Sequence, residues 1–452
     1  MTLYFVLRII VFSVLLGISM APSPAPAQSA ELVASDFDGS GRVDFADFLD
    51  FAENFGRSFS QDNFDSRFDL DRSSIVDFGD FLIFANNFGK LTSGETETFL
   101  YIADFFSNRV QVVNTSTNLT IPSRAFTVTF PRGLAFGQQT GLVYVASTDT
   151  LFAYTDSGQQ QFFVELTPFQ QPVTGLLQPP GGFKVAINND ETRAFVSEDA
   201  AGIVEIIDLT NRVPLAQIAV GLLPGALTLS SDESELYVVR RTASIAVVDV
   251  VTQTVIDSII TGTLATSRIA ASPDKSRLYT MTSRPDAAHT SGTAVNILRI
   301  DPAKRSVLDS VLISREEDLV AQPIDISTAA DGSLVYASIN RTDPGPAADF
   351  TALIQVGALI VVDTNSFSIR SEISELQLIF GFGIAEDGAT GYFSGVENLT
   401  EGTFRVFVVD MVQGKLIDQL PVALNSGTEF LFTNAKEALR SAIGYIELAF
   451  SL

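Results

Sequence analysis

The 452-residue chain contains no cysteine, no tryptophan and a single histidine, His289. Without cysteine it cannot form disulfides, bind a metal through thiolates or use a cysteine nucleophile. One histidine cannot assemble a histidine-rich catalytic metal site, and no serine lies in a G-x-S-x-G elbow. We therefore interpret His289 as a solvated loop residue and predict no catalytic residues, which favours a non-catalytic protein.

Basic residues are also scarce, with 28 Lys and Arg against 53 Asp and Glu, for a net charge of −25. Such a chain repels a phosphate backbone or an anionic membrane, so nucleic acid is excluded as a partner. Charged residues make up only 18% of the chain and its mean hydropathy is +0.27, which argues against disorder. The composition therefore indicates a compact, β-rich protein, and we expect a monomer.

The N-terminus has the three parts of a secretory signal. Residues 1–8 carry one positive charge, Ile9–Met20 is an apolar run, and Ala25-Pro-Ala27 is a small-x-small cleavage site. We predict a signal peptide over residues 1–27 and a secreted or cell-surface protein; the alternative is an uncleaved anchor over Leu3–Met20. A secreted chain without disulfides must then be stabilised by burial.

The most informative feature is an acidic loop followed by a Phe-rich segment, which occurs twice at a spacing of 33 residues. Oxygen-bearing side chains fall at positions 1, 3, 5, 9 and 12 of each loop, and the carbonyl of position 7 adds another oxygen, which is how one twelve-residue loop wraps Ca²⁺. The predicted ligands are Asp36, Asp38, Ser40, Arg42 (carbonyl), Asp44 and Asp47 in the first loop, and Asp69, Asp71, Ser73, Ile75 (carbonyl), Asp77 and Asp80 in the second. The sequence therefore predicts Ca²⁺ as the cofactor.

The two loops depart from an ordinary EF-hand in two ways. Position 12 is Asp in both copies instead of the longer Glu, and position 6 is Gly41 in the first loop but Ser74 in the second. Because this position needs a sharp turn that glycine adopts most easily, we expect the second turn to be strained or differently shaped and the first loop to bind more tightly. The alternative is a pair of acidic turns that cap helices and bind no metal.

The segments after the loops carry phenylalanines at i, i+3 and i+7, which indicates one apolar stripe on each helix. The stripes are Phe48, Phe51 and Phe55, then Phe81, Phe84 and Phe88. We predict that they bury against each other or against the next domain; a groove for a partner is the alternative.

The duplication, the Asp at position 12 and the missing entering helix resemble a type I dockerin over Ser35–Lys90. The resemblance implies that two calcium loop-helix units pack as a pair and bind a cohesin-like partner. Dockerins often carry a hydroxyl or charged pair at loop positions 10 and 11, whereas this chain has Phe45-Ala46 and Phe78-Gly79. We assign residues 28–90 to this dockerin-like EF-hand module and 91–98 to a polar linker.

From Phe99 onward a β pattern repeats about every 42 residues, as the spacing of Asp190, Asp232 and Asp274 illustrates. Each unit has a polar turn, a strand such as Val143-Tyr-Val-Ala, and a third strand ending in aspartate. These strand-ending aspartates recur at Asp208, Asp249, Asp301, Asp363 and Asp410. Because they recur in unit after unit, we interpret them as turn-capping residues and not as general bases.

Four strands per 42-residue unit are typical of a β-propeller blade, and the units resemble the YVTN-type propeller family. We predict a mostly β fold: a β-propeller over residues 99–452 with seven blades (alternative eight), preceded by the small α-helical module. Ser441–Tyr445 and Glu447–Phe450 are expected in a shared closing blade. The absence of tryptophan argues against a quinoprotein-type propeller, in which the cofactor stacks on that residue.

Long connections distinguish some blades from the rest. Extra residues lie between the second and third strands at Ser283–Gly292, Asn340–Val356 and Val396–Thr403, and a further long connection is Leu166–Gly182. We expect these connections to rim one face, where loops on a rigid scaffold commonly bind ligands. Tolerated insertion at exposed tips is the alternative.

These observations predict a secreted calcium-binding propeller that acts as a non-catalytic binding or interaction scaffold, attached or oriented through its dockerin-like module. The expected partners are a protein or polysaccharide at the propeller face and a cohesin-like partner of the module. The alternative is a propeller enzyme of the lactonase or polysaccharide-active lyase or hydrolase type. An enzyme would need acids, arginine and histidine converging on one face, and the sequence reveals no such set.

Overall fold

The computed structural model describes residues 34–38, 43, 45–61, 63–88, 98–115, 117–172, 174–262, 264–265, 268–285, 293–315, 320–343, 354–376, 378–385, 388–398, 403–424 and 428–434. The chain divides into two compact units, Met1–Thr96 and Glu97–Leu452. The predicted signal peptide, His289 and the segments Ser441–Tyr445 and Glu447–Phe450 lie outside the described residues. Among those that are described, no helix is long and apolar enough to cross a membrane.

The described part of the N-terminal unit includes two ten-residue helices, α1 (Phe45–Asn54) and α2 (Phe78–Asn87). Asp77 begins α2 as its N-cap, and its Oδ1 accepts a 2.7 Å hydrogen bond from the backbone N of Gly79. In return, Asp80 Oδ2 accepts a 2.8 Å bond from the backbone N of Asp77. This reciprocal capping box satisfies two donors that a helix start leaves open, so the acidic loop itself fixes where α2 begins.

The phenylalanine stripes of the two helices pack against each other. Phe51 and Phe84 are both 1% exposed, and their rings stack at 5.5 Å between centroids with an interplanar angle of 6°. Phe55 and Phe88, the last members of the stripes, are half exposed because they lie just beyond the ends of α1 and α2. The small core of this unit consists of Phe37, Val43, Phe51, Phe68, Val76 and Phe84.

The second unit is built from seven antiparallel sheets arranged as blades. Blades 1 and 2 contain β1 (Thr98–Asp104), β2 (Arg109–Asn114), β3 (Leu119–Thr120) and β4 (Phe126–Thr127), then β5 (Gly133–Phe136), β6 (Val143–Ala146), β7 (Thr150–Tyr154) and β8 (Gln160–Glu165). A hairpin of β9 (Phe169–Gln170) and β10 (Leu177–Gln178) follows. Blades 3 and 4 contain β11 (Gly182–Ile187), β12 (Arg193–Glu198), β13 (Ile203–Asp208) and β14 (Val213–Ala219), then β15 (Pro224–Leu229), β16 (Glu235–Arg240), β17 (Ser244–Asp249) and β18 (Thr254–Ile260).

The remaining blades continue in the same order. Blade 5 contains β19 (Leu264–Ala265), β20 (Ala270–Ala271), β21 (Leu278–Pro285), β22 (Thr293–Asp301) and β23 (Ser306–Leu312). Blades 6 and 7 contain β24 (Val320–Thr328), β25 (Leu334–Asp343), β26 (Ile354–Asp363) and β27 (Ser368–Leu376), then β28 (Ile379–Ile384), β29 (Thr390–Asn398), β30 (Thr403–Asp410) and β31 (Lys415–Leu424). The last strand is β32 (Thr428–Asn434).

The ring closes between the two ends of this unit. Strand β32 pairs antiparallel with β1 over seven residues, from Thr98 opposite Asn434 to Asp104 opposite Thr428. Because β32 also contacts β5 and β28, it is the innermost strand of blade 1, and the later strands of that blade come from the start of the unit. The structure thus confirms seven blades, and Thr98, which we had assigned to the linker, is already part of a strand.

The repeated aspartates hold turns, as the sequence indicated. Asp232, between β15 and β16, accepts hydrogen bonds from Ser230 Oγ (2.7 Å) and from Ser234 N (3.1 Å) and Oγ (2.8 Å). These bonds lower the pKa of Asp232 to about 2. Asp249, at the end of β17, accepts 2.6 and 2.9 Å bonds from the N and Oγ1 of Thr252. Both kinds of turn lie at one end of the blades, which we call the turn end.

The connections between second and third strands and between successive blades lie at the opposite end, which we call the loop end. Part of the extra length predicted there as loop is strand instead. In blade 6, β25 and β26 pair over ten residues, from Leu334 opposite Asp363 to Asp343 opposite Ile354. The corresponding strands of blade 3 pair over six. The insertion therefore lengthens the hairpin itself, because its alternating side chains continue the ladder beyond the common blade length.

Candidate metal centre

Three carboxylates of each acidic loop come together in the N-terminal unit. One oxygen from each of Asp36, Asp38 and Asp47 lies within 4.8 Å of the others, and the same holds for Asp69, Asp71 and Asp80. In both triads the position-1 residue is half-buried, the position-3 residue is exposed and the position-12 residue is buried. The structure therefore gathers predicted ligands 1, 3 and 12 in the same arrangement twice.

The position-12 carboxylates are held by the backbone of their own loops. Asp47 Oδ1 accepts hydrogen bonds from the backbone N of Phe37 (2.7 Å) and of Asp38 (3.1 Å). Asp80 Oδ1 accepts a 2.9 Å bond from the backbone N of Asp71, while its Oδ2 caps α2. Since both residues sit in the first turn of a helix, helix formation brings them to the start of the loop that precedes it.

The negative charges of Asp69 and Asp71 act on the buried carboxyl group of Asp80. Burial raises the pKa of Asp80, hydrogen bonds from the backbone of Asp71 and Asp77 oppose the increase, and the negative charges of Asp71 and Asp69 add to it. In contrast, hydrogen bonds from Ser73 lower the pKa of the exposed Asp71. Three carboxylates so close together repel, and a bound cation would reverse that repulsion.

The other predicted ligands of the second loop make local hydrogen bonds. Ser73 Oγ donates to the carbonyl of Ile75 at 3.0 Å, so the position-5 and position-7 oxygens are adjacent. Ser74, at position 6, has φ of +76°, the left-handed conformation that glycine adopts without strain. The predicted strain of this turn is therefore observed. Asp77 caps α2 and is not part of the triad. The remaining first-loop ligands, Ser40, Arg42 and Asp44, lie outside the described residues.

The core residues just behind the loops follow the same repeat. Val43 and Val76, at position 8 of each loop, are fully buried. Val76 also donates from its N to the carbonyl of Arg57 at 2.8 Å, and Gly56 donates to the carbonyl of Val76 at 2.7 Å. The second loop is thus tied to the chain that follows α1. With only oxygen donors, both triads suit a hard cation such as Ca²⁺.

A second candidate site lies in the propeller at its turn end. A cavity of about 490 Å³ is lined by the innermost strands and first turns of blades 2–6, with Glu191, Asp274 and Lys275 as its charged residues. Both carboxylates are already hydrogen-bonded: Glu191 accepts from the N and Oγ1 of Thr140, and Asp274 from the Oγ of Ser272. Burial lowers the pKa of Lys275. Sequence reasoning placed binding at the loop end and missed this cavity, because small apolar side chains such as alanine line much of it and carry no motif.

Comparisons with known proteins support the fold. No protein-family profile matches the chain, and no curated protein sequence matches it. Similar solved structures include hydrazine synthase of Kuenenia stuttgartiensis, with a TM-score of 0.52 and 14% identity over 68% of this chain and 96% of that one. Two proposed 6-phosphogluconolactonases are also similar. The one from Bacteroides uniformis has a TM-score of 0.53 and 13% identity over 75% of this chain and all of that one. The one from Bacteroides fragilis has a TM-score of 0.52 and 12% identity over 76% of this chain and all of that one. At such identities the likeness establishes the propeller fold alone.

Proposed function

We propose that the N-terminal unit is a paired-loop calcium module of the dockerin-like type, and that the protein is a secreted scaffold whose propeller binds a protein or polysaccharide. The observation that carries the proposal is the duplicated triad. Positions 1, 3 and 12 converge within 4.8 Å in both loops, at the same three degrees of burial. Acidic turns that merely cap helices would not need a second and third carboxylate at the same point.

Coordination chemistry favours calcium over other cations. Calcium takes six to eight oxygen ligands in flexible geometry, and each loop offers three gathered carboxylates plus the oxygens at positions 5, 7 and 9. Backbone hydrogen bonds already fix the position-12 carboxylates, so little ordering is left for the ion to impose. The strained Ser74 turn costs the second loop some affinity, and we expect the first loop to bind more tightly.

The same unit offers apolar side chains for a partner. Leu49 and Leu82 lie 33 residues apart at equivalent positions of α1 and α2, and both are more than half exposed. Phe55 and Phe88 form a second equivalent pair. Paired apolar side chains on two helices suit a cohesin-like partner that contacts both, although loop positions 10 and 11 differ from those of known dockerins.

Calorimetric calcium titration of the full mature chain tests the module. We expect Asp36→Ala and Asp69→Ala to remove one site each and the double variant to remove two. Asp50→Ala, at an exposed acid on α1 outside both loops, is the matched control and should leave uptake unchanged. Unchanged uptake in the double variant would refute the assignment.

A propeller enzyme of the lactonase type is the second candidate, because two structures with the same fold are proposed 6-phosphogluconolactonases. Hydrolysis of 6-phosphogluconolactone by the full chain, followed as acid release above the spontaneous rate, tests it. Turnover that Lys275→Met abolishes would place the activity at the turn-end cavity. A rate equal to the spontaneous one would remove this candidate for that lactone.

A further inference from the structure

Blade 3 contains two glutamates that are completely buried. Glu198 ends β12 and Glu205 lies in the middle of β13, and both are 0% exposed. Glu205 pairs with Val196, two residues before Glu198, so the two carboxyl groups are diagonal neighbours on one face of the sheet. Val196 packs in the same cluster as Val164 of blade 2, so this face lies against blade 2.

The two carboxyl groups differ in their partners. Glu205 accepts hydrogen bonds from Thr167 N (3.0 Å), Thr167 Oγ1 (2.5 Å) and Gln217 Nε2 (3.3 Å). Among the described residues no N–H or hydroxyl donor reaches either oxygen of Glu198, and its one hydrogen-bonding neighbour is the carboxyl group of Glu205. A buried carboxylate without a donor is strongly unfavourable beside a second one, so the pair must hold either a proton or a cation.

We propose that Glu198 and Glu205 form a calcium site in the propeller, separate from the N-terminal loops. Their four carboxylate oxygens and the hydroxyl oxygen of Thr167 supply five oxygen donors. Turning the Gln217 amide over would supply a sixth, which reaches the lower limit of calcium coordination. Thr167 and Gln217 are exposed, so the pair lies directly beneath the surface and an ion need not cross the core.

The fold does not require this pair. In blade 4 the last residue of the second strand is Arg240, and the third residue of the third strand is Ala246. The neighbouring acid of blade 3, Asp199, is neutralised by Arg132 at 2.8 Å. Blade 3 therefore carries two buried acids that neither the repeat nor that nearby ion pair explains.

The titration of Glu198 supplies a signature of binding. Burial, reinforced by the charge of Glu205, raises the pKa of Glu198 to about 9. A proton held between Glu198 and Glu205 and a bound cation would therefore compete for this pair. Binding at this site should release about one proton per ion, so its apparent enthalpy should differ between Tris and HEPES in proportion to their ionisation enthalpies.

The test uses the full chain carrying Asp36→Ala and Asp69→Ala, in which the loops are silenced. Calcium titration should still detect one ion with this buffer dependence. Glu198→Gln, which mimics the protonated acid and should fold, should abolish the uptake; Asp199→Asn, which removes one negative charge at the next residue, should retain it.

The outcomes separate this site from the loop module. If the loop-silenced chain takes up no calcium, or if Glu198→Gln leaves uptake unchanged, the site is refuted whatever the loops do. If the N-terminal loops bind no calcium, Asp36→Ala and Asp69→Ala will leave the calcium uptake of the full chain unchanged. The comparison of Glu198→Gln with Asp199→Asn still tests the propeller site in that case.

Discussion

The phenylalanine core of the N-terminal unit allows a sharp test, because the chain provides a matched pair on one helix. Phe51 is 1% exposed and stacks on Phe84, whereas Phe55, one turn later, is 50% exposed. Truncating a fully buried phenylalanine to alanine removes its transfer free energy and leaves a cavity, which together cost ~3–5 kcal/mol. Truncating the half-exposed Phe55 should cost less than about 1 kcal/mol.

The N-terminal unit is small, so the stability lost in Phe51→Ala is a large share of its total. At ~0.05–0.15 kcal/mol per residue, a module of about sixty residues has a total stability of roughly 3–9 kcal/mol. Phe51→Ala should therefore unfold a large share of calcium-free molecules. A ligand at 100 times its Kd adds about 2.7 kcal/mol per site, so saturating calcium should restore much of the folded population.

Hydrogen exchange of the full chain is the appropriate assay, because it reports each unit separately. In EDTA, amides of α1 and α2 should lose protection in Phe51→Ala and keep it in Phe55→Ala, while β12 and β13 remain unchanged in both. Calcium should bring protection of the helices back in Phe51→Ala. Equal effects of the two substitutions would refute the assigned core, and loss of protection without calcium rescue would refute its link to the loops.

The propeller gives three further predictions. In calcium-free buffer at pH 7.5, Glu198→Gln should raise the free energy of unfolding by roughly 2–4 kcal/mol, because the folded chain must hold a proton that the unfolded chain has lost. The free energy of unfolding of the wild-type chain should fall relative to that of Glu198→Gln as the pH rises from 4.5 towards about 9. Denaturant titrations across that range measure both, and an equal pH dependence of the two chains would contradict the reasoning. Arg268→Met removes the buried guanidinium whose Nε lies 3.6 Å from the carboxylate of the buried Asp325, and this change should cost ~3–5 kcal/mol. The double variant with Asp325→Leu should regain most of that loss, and additive losses in this double-mutant cycle would argue against the pair. Gly182→Ala would put a Cβ 2.2 Å from the carbonyl oxygen of Ser147 and should lower the free energy of unfolding by ~1–3 kcal/mol. An unchanged thermal midpoint of unfolding would contradict this prediction.

Much of the propeller could be predicted from sequence because each blade repeats the same local chemistry. The aspartates at 42-residue spacing accept hydrogen bonds from hydroxyls and backbone N–H groups two residues away, as Asp232 does with Ser234. Such bonds are local, so the residues that make them are neighbours in sequence. The helix cap at Asp77 is equally local, since its side chain accepts from the backbone N of Gly79, although the sequence analysis assigned Asp77 as a calcium ligand.

Ring closure could not be predicted because it depends on a distant pairing. Strand β32 joins β1 from the other end of the unit, and nothing in the alternation of Thr428–Asn434 specifies that partner. Innermost strands also lack the Tyr-Val-Ala marker of second strands. We therefore assigned the closing blade to later segments, which lie outside the described residues, and missed the strand that completes it.

The buried glutamates could have been found, since Glu205 interrupts an apolar run: Ile203-Val-Glu-Ile-Ile207. Third strands of a propeller are buried on both faces, so alternation cannot send such a residue to solvent, and a charged side chain there needs a neutralising group. The period that predicts the fold also predicts what each position should carry. The positions of Glu198 and Glu205 correspond to Arg240 and Ala246 in blade 4. Because burying two acids is costly, stability does not explain this difference between the blades. Calcium binding at this pair, as proposed above, would offset that cost, and the Glu198→Gln comparison tests it.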